Sequence, residues 1–325
     1  MQFGDRPLSR CEGATLAHSV GVDGGKLAKG TVLTAKHIAM AKAAGHRALT
    51  VAIPAANDIP ESEAAARLGT ALAGHGISAS DPVNGRTDLL ARFTGLFIAD
   101  ERAVTRINGA NEAIGLATLP SHRRVENGET VATLKIIPFA MRRSVVERAE
   151  MAAMPAPLTV RPFRPLSVLL VQTSHGSGDA KMRAKTERIT EDRITALGGT
   201  LAVTNVAPHE AEPLAAALGD DRADIILIAG ASATTDRRDV VPSAIRSAGG
   251  RIVRLGMPVD PGNLLLLAER GDQVIIGMPG CARSPKRNGF DMVLERLFAG
   301  LSVTSADIAG MGIGGLIKGA DRPSR

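Results

Sequence analysis

Two small-residue loops hold most of the groups in this sequence whose types and spacing could do chemistry. The first runs Gly230-Ala231-Ser232-Ala233-Thr234-Thr235-Asp236-Arg237-Arg238-Asp239, with Val240-Val241-Pro242 behind it. Small residues let a ligand approach the backbone. A helix opening after the loop offers N–H groups and a positive dipole end to an anion. The second loop reads Gly277-Met278-Pro279-Gly280-Cys281-Ala282-Arg283-Ser284-Pro285-Lys286 and is also expected to open a helix. Arg283, Lys286 and Arg287 beside that start could pair with a phosphate. The candidate binding residues are therefore Gly230, Ala231, Ser232, Thr234, Asp236, Arg238 and Asp239 on one loop. On the other they are Pro279, Gly280, Cys281, Arg283, Ser284 and Lys286. Asp239 is also the candidate catalytic group.

Each of these residues has a plainer reading. Asp239 could simply cap the helix it starts, and Gly230 and Gly280 could be turn glycines. The basic residues could form a solvated face. Cys281 is a reactive thiol if a helix start lowers its pKa, and otherwise a buried inert cysteine. His209 reads as a capping or surface histidine. Thr173-Ser174-His175-Gly176-Ser177-Gly178 is either a further phosphate cradle or a flexible loop. Ser174 and His175 do not make a hydrolase, because residues 172–176 form no Gly-x-Ser-x-Gly elbow.

The elements that must position these loops read as an alternation. Residues 166–172 and 224–229 are near-continuous apolar runs, as in buried parallel strands. Residues 201–206 and 252–257 read as further strands, and 264–268 with 273–277 as a hairpin about Gly271-Asp272. Helices are expected over 181–197, with Met182, Ile189, Ile194 and Leu197 inward, and over 210–218 and 240–248. A last helix places Phe290, Val293, Leu294, Leu297 and Phe298 on one face. This pattern predicts a Rossmann-like, doubly wound, mainly parallel sheet over 159–302, with ligands outside the carboxyl ends of its strands.

Residues 1–158 predict an α+β, strand-rich domain of unknown role. Helices are expected over 34–45, 61–73 and 142–152, and strands over 47–53, 89–98, 114–119 and 131–137. From 81 to 139 the signals are mostly those of strands. The prolines at 155, 157, 162 and 165 disfavour regular structure and mark the boundary. Residues 303–325 read as a tail that frays from Lys318 onward.

The 325-residue chain carries a net charge of +6, which suits an anionic partner. Trp and Tyr are absent and only seven Phe are present, which disfavours the stacking platforms that single-stranded nucleic acid needs. The expectation is a small anionic ligand and no nucleic acid. Cys11 and Cys281 stand far apart, which suggests neither a disulfide framework nor a metal site. No signal-like start or membrane-length apolar run is evident, so a soluble, cytoplasmic protein without membrane contact is expected.

Together, in this order and spacing, the two loops resemble the molybdopterin-binding domain of molybdopterin adenylyltransferase, molybdopterin molybdotransferase and gephyrin. Arg237-Arg238-Asp239-Val240-Val241-Pro242 is similar to the acidic end of that family's first loop, and Met278-Pro279-Gly280 looks like its Leu-Pro-Gly loop. The resemblance covers about 140 residues. The stretch from Gly30-Thr31-Val32-Leu33-Thr34 to Gly45 is faintly similar to the molybdotransferase. The whole chain resembles the front part of bacterial molybdopterin-binding–nucleotidyltransferase fusions. The resemblance implies molybdopterin, a pterin, as ligand and a role in molybdenum cofactor biosynthesis or handling. It also implies other proteins of that process as partners, and a homo-oligomer.

This chain departs from the pattern in places. The family's second glycine is Ala231. Pro208-His209-Glu210 stands where the adenylating branch has an aspartate. Met257-Pro258-Val259-Asp260-Pro261-Gly262-Asn263 lacks the lysines of the molybdotransferase's Lys-Pro-Gly-Lys-Pro. A histidine is a poor substitute for a carboxylate on Mg²⁺, so binding is better supported than catalysis. The rivals are an active transferase using Mg²⁺ and ATP, a nucleotide pyrophosphatase, and a nucleic-acid module supported by charge alone.

Overall fold

In the computed structural model the chain forms two compact units, Met1–Arg161 and Pro162–Arg325. The structure describes residues 1–176, 179–219 and 223–317. The expected fraying from Lys318, and Ser177-Gly178 of the possible phosphate cradle, lie outside them. No helix of the described residues is long and apolar enough to cross a membrane.

The first unit is strand-rich, as expected, and holds two cores. One lies under the antiparallel sheet of Gln2–Pro7, Ala48–Ile53 and Thr15–Leu16, beside the helix Ala35–Ala43. Thr34 accepts the His37 N–H and His37 returns the bond, a reciprocal cap that starts this helix. The other core gathers Leu68, Phe97, Leu134 and Val146 from two further sheets and the helices packed on them.

Three expectations for this unit are corrected. Residues 89–98 are two strands, Arg86–Ala91 and Gly95–Ala99. The stretch read as strands contains a helix, Glu101–Ala110, capped by Asp100. It buries only Ala103 and Ile107, an apolar stripe too thin to stand out from its polar residues. The proline-rich boundary holds a strand, Leu158–Pro162, because its prolines precede it or end it while Leu158 and Val160 point inward.

The second unit is a six-stranded sheet with helices on both faces. Its order is Thr200–Pro208, Ser167–Ser174, Ile225–Ala229, Gln273–Gly277, Leu266–Arg270, Arg251–Leu255. The first four run parallel, and Leu266–Arg270 runs against both its neighbours. Side chains alternate between faces along a strand. Val168 and Leu170 join Ile194, Phe290 and Phe298 on one side, while Leu169 and Val171 join Leu214, Val241 and Ile245 on the other. All four strand residues are fully buried, each contributing about 1.5–3 kcal/mol of transfer free energy.

Met182 is corrected. It is exposed, and Thr186 and Thr190 take inward places on the helix Ala180–Ala196. Within residues 303–317, Ile308 of the helix Ser305–Gly310 is fully buried and Met311 lies beside it in the core, while Ile313 and Leu316 are exposed.

Candidate functional site

The strands Ser167–Ser174, Ile225–Ala229 and Gln273–Gly277 end side by side. Gln172 stands opposite Ala229 and Ile228 opposite Gly277, and the Met278 N–H extends the pairing to the Ile228 carbonyl at 2.8 Å. The two expected ligand loops therefore leave the sheet as neighbours, at its carboxyl edge. Between them opens a cleft of about 180 Å³. Gly230, Ala231, Ser232 and Thr234 line it from the first loop, and Pro279, Gly280 and Arg283 from the second.

The remaining expected residues lie outside that lining. Asp236 pairs with Arg238 at 2.8 Å, both in solvent. Asp239 caps the helix Val240–Ser247, accepting the Val240 N–H at 2.8 Å and the Thr235 N–H at 3.3 Å. The second loop does not open an α-helix directly. A 3-10 turn, Gly280–Arg283, comes first, and the helix Gly289–Phe298 starts later with its own Asn288 cap. Cys281 is half-buried, Ser284 closes the 3-10 turn, and Lys286 is exposed. Arg287 does not line the cleft either. It forms an ion pair with Glu295, whose carboxylate is almost wholly buried and holds the guanidinium above its usual pKa.

Three residues that organise the site were missed or misread from sequence. His209 is neither a cap nor a surface group. It follows the strand Thr200–Pro208, donates its N–H to the Ser174 carbonyl at 3.0 Å, and is half-buried. Its Nδ1 meets Thr173 Oγ1 at 2.8 Å and its Nε2 meets Ser232 Oγ at 2.8 Å. Burial pushes its pKa down and the neighbouring His175 adds to this, while Asp239 opposes them. The His175 ring meets it edge-on, with centroids 4.9 Å apart.

Thr173, buried at the strand end, takes the Ala231 N–H at 2.7 Å. Arg193 reaches from the helix Ala180–Ala196 to Asp291 at 2.7 Å and to the carbonyls of Ala282 and Ser284 at 2.6 and 2.5 Å, which fixes the second loop. Sequence could have pointed to His209 only through its place just after a strand; the neighbouring strand is not written there. Arg193 gives no signal on a polar helix.

The cleft suits an anion that brings flat or bulky atoms close to backbone. Arg283 spends one N–H on the Gly230 carbonyl at 2.5 Å and has no carboxylate partner among the described residues. A Cβ on Gly280 would meet nothing within 4 Å, so the space above that backbone is open to a ligand. No carboxylate lines the cleft, and Mg²⁺ is usually held by one or two carboxylates together with substrate phosphates and water. Asp236 is held by Arg238, both Asp239 oxygens accept N–H groups, and both His209 nitrogens are engaged. Among the described residues no group of three or more His, Cys, Asp or Glu could hold a metal ion.

Residues 173–309 match the family described as a probable molybdopterin binding domain. Both cleft loops and the strands that carry them fall within that span, so this part of the chain is similar to that domain. Two solved structures are similar. The molybdopterin biosynthesis MoeA protein from Pyrococcus horikosii is 14% identical, over 91% of this chain and 75% of that one, with a TM-score of 0.32. Molybdenum cofactor biosynthesis protein B is 14% identical, over 41% of this chain and 87% of that one, with a TM-score of 0.29. Neither likeness is close enough to carry chemistry from one protein to the other. No curated protein matches the chain.

Proposed function

We propose that the C-terminal unit binds molybdopterin in the cleft between residues 230–234 and 278–283, and that the protein holds or passes on this pterin during molybdenum cofactor synthesis. The observation that carries this reading is Arg283. A half-buried guanidinium without a carboxylate partner, set between two small-residue loops, is a site for the terminal phosphate of such a ligand. Ser232 and Thr234 supply hydroxyls to the same cleft, Gly280 lets the pterin approach backbone, and Gly230 lets its own loop close against the Ser232 carbonyl. Asp239 acts as a helix cap, and Asp236, Arg238, Cys281, Ser284 and Lys286 support or surround the loops. The lack of a carboxylate in the cleft lining supports binding over metal-dependent turnover. The protein would work in the cytoplasm with other proteins of the same synthesis, and self-association is a further expectation for its domain.

Anaerobic titration of the purified protein with molybdopterin, with and without Mg²⁺ and ATP, tests this. Saturable binding that Mg²⁺-ATP leaves unchanged, with no pyrophosphate or AMP released, is the expected result. Release of either product would replace the reading with an active transferase or pyrophosphatase. Absence of binding under both conditions would overturn it.

A further inference from the structure

Thr173, His209 and Ser232 form a hydrogen-bonded chain whose direction can be worked out atom by atom. Thr173 Oγ1 accepts the Ala231 N–H. Thr173 is only 3% exposed, so its own hydroxyl hydrogen must find an acceptor inside the protein. The acceptor in reach is His209 Nδ1. A neutral imidazole has one accepting and one donating nitrogen. With Nδ1 accepting, the ring hydrogen lies on Nε2 and is donated to Ser232 Oγ. Ser232 therefore accepts from His209, and its own hydrogen is left for the cleft.

Protonating His209 would place a second hydrogen on Nδ1 and strand the buried Thr173 hydroxyl. The titratable groups facing the ring are His175, from the loop after Ser167–Ser174, and Asp239, ahead of the helix Val240–Ser247. Burial and His175 outweigh Asp239, so they too favour the neutral ring.

We propose that Ser232 is a specificity-determining donor, locked with its hydroxyl hydrogen aimed into the cleft to take an accepting oxygen of a phosphate monoester. Resting on the reading of the cleft as a molybdopterin site, this names the group that meets the phosphate beside Arg283. It also excludes Ser232 as a nucleophile activated by His209, because Nε2 already carries a hydrogen.

The test has two parts. In the unliganded protein with ¹⁵N-labelled histidine, His209 is expected mainly as the neutral Nε2–H tautomer at pH 6.5, the ordinary histidine value. Inorganic phosphate and molybdopterin are then titrated into wild type, Ser232→Ala, Ser232→Thr and Thr173→Val. Losing one hydrogen bond to a charged group should weaken both ligands about 10- to 100-fold in Ser232→Ala. Ser232→Thr should keep most of the affinity. Thr173→Val, which releases Nδ1, should lose affinity with Ser232 untouched.

An Nδ1–H tautomer, a protonated ring at neutral pH, or unchanged phosphate affinity in Ser232→Ala would overturn the proposal, as would a wild type that binds neither ligand. Ser232-dependent phosphate binding without molybdopterin binding would keep the donor and remove the molybdopterin reading. Equal molybdopterin binding by wild type and Ser232→Ala would do the reverse.

Discussion

Arg283 donates to the carbonyl of Gly230, so one side chain ties the loop after Ile225–Ala229 to the loop after the neighbouring strand Gln273–Gly277. The same guanidinium is the charge that faces the cleft. Arg283→Met should therefore weaken molybdopterin binding about 100-fold, the scale of a hydrogen bond to a charged group. Arg283→Lys should fall between, since it keeps the charge but loses the fork that can hold a carbonyl and a phosphate together. Titrations of the two variants against wild type check the order.

Arg193 holds the second loop from below, with its side chain only 10% exposed. Arg193→Leu would take this donor from Asp291 and from three loop carbonyls, those of Ala282, Ser284 and Lys286. A loss on the order of 3 kcal/mol in urea unfolding of the protein is expected, as for breaking a buried pair, with weaker ligand binding as well. Unchanged stability would show that water replaces the guanidinium.

His209 ties stability to pH. Its folded pKa lies below 6.5, so the unfolded chain takes up the proton more readily. The stability that the neutral ring contributes is whole above the unfolded value. It is lost as pH falls through 6.5 toward the depressed folded value. Thermal midpoints measured from pH 8 to pH 5 should fall more steeply for wild type than for His209→Gln. Parallel curves would remove His209 as the cause.

Two glycines in the cleft should respond differently to alanine. A Cβ on Gly230 would lie 2.8 Å from the Ser232 carbonyl oxygen, so the loop must shift and the bond from His209 to Ser232 is disturbed. Gly230→Ala should cost ligand affinity and some stability. Gly280→Ala meets nothing within 4 Å and should fold normally. If it nonetheless binds molybdopterin more weakly, the ligand fills the space above that backbone.

The parts legible in the sequence are those where burial leaves a one-dimensional mark. Val168 to Val171 are apolar on both faces and read as a covered strand. The stripe from Phe290 to Phe298 reads as a core helix for the same reason. The loops at Gly230 and Gly280 were visible because small residues follow apolar strands. The use of each polar group was not, because it depends on neighbours far along the chain. His209 meets Thr173 only because Thr200–Pro208 lies beside Ser167–Ser174. Arg287 was read as able to pair with a phosphate, yet the buried carboxylate of Glu295, eight residues on, claims it.

The reversed strand Leu266–Arg270 gives the second unit an uneven folding schedule. It meets Gln273–Gly277 across a tight turn, with Arg270 opposite Gln273, and such hairpins close within roughly 1–10 μs. The parallel pairs that join Val168 to Ile225 and Ile225 to Val274 must first close long loops, which is slow. The hairpin is thus a local template at one end of the sheet. The cleft, which needs all three central strands in place, is completed late, and in a refolding time course pterin binding should trail the formation of secondary structure.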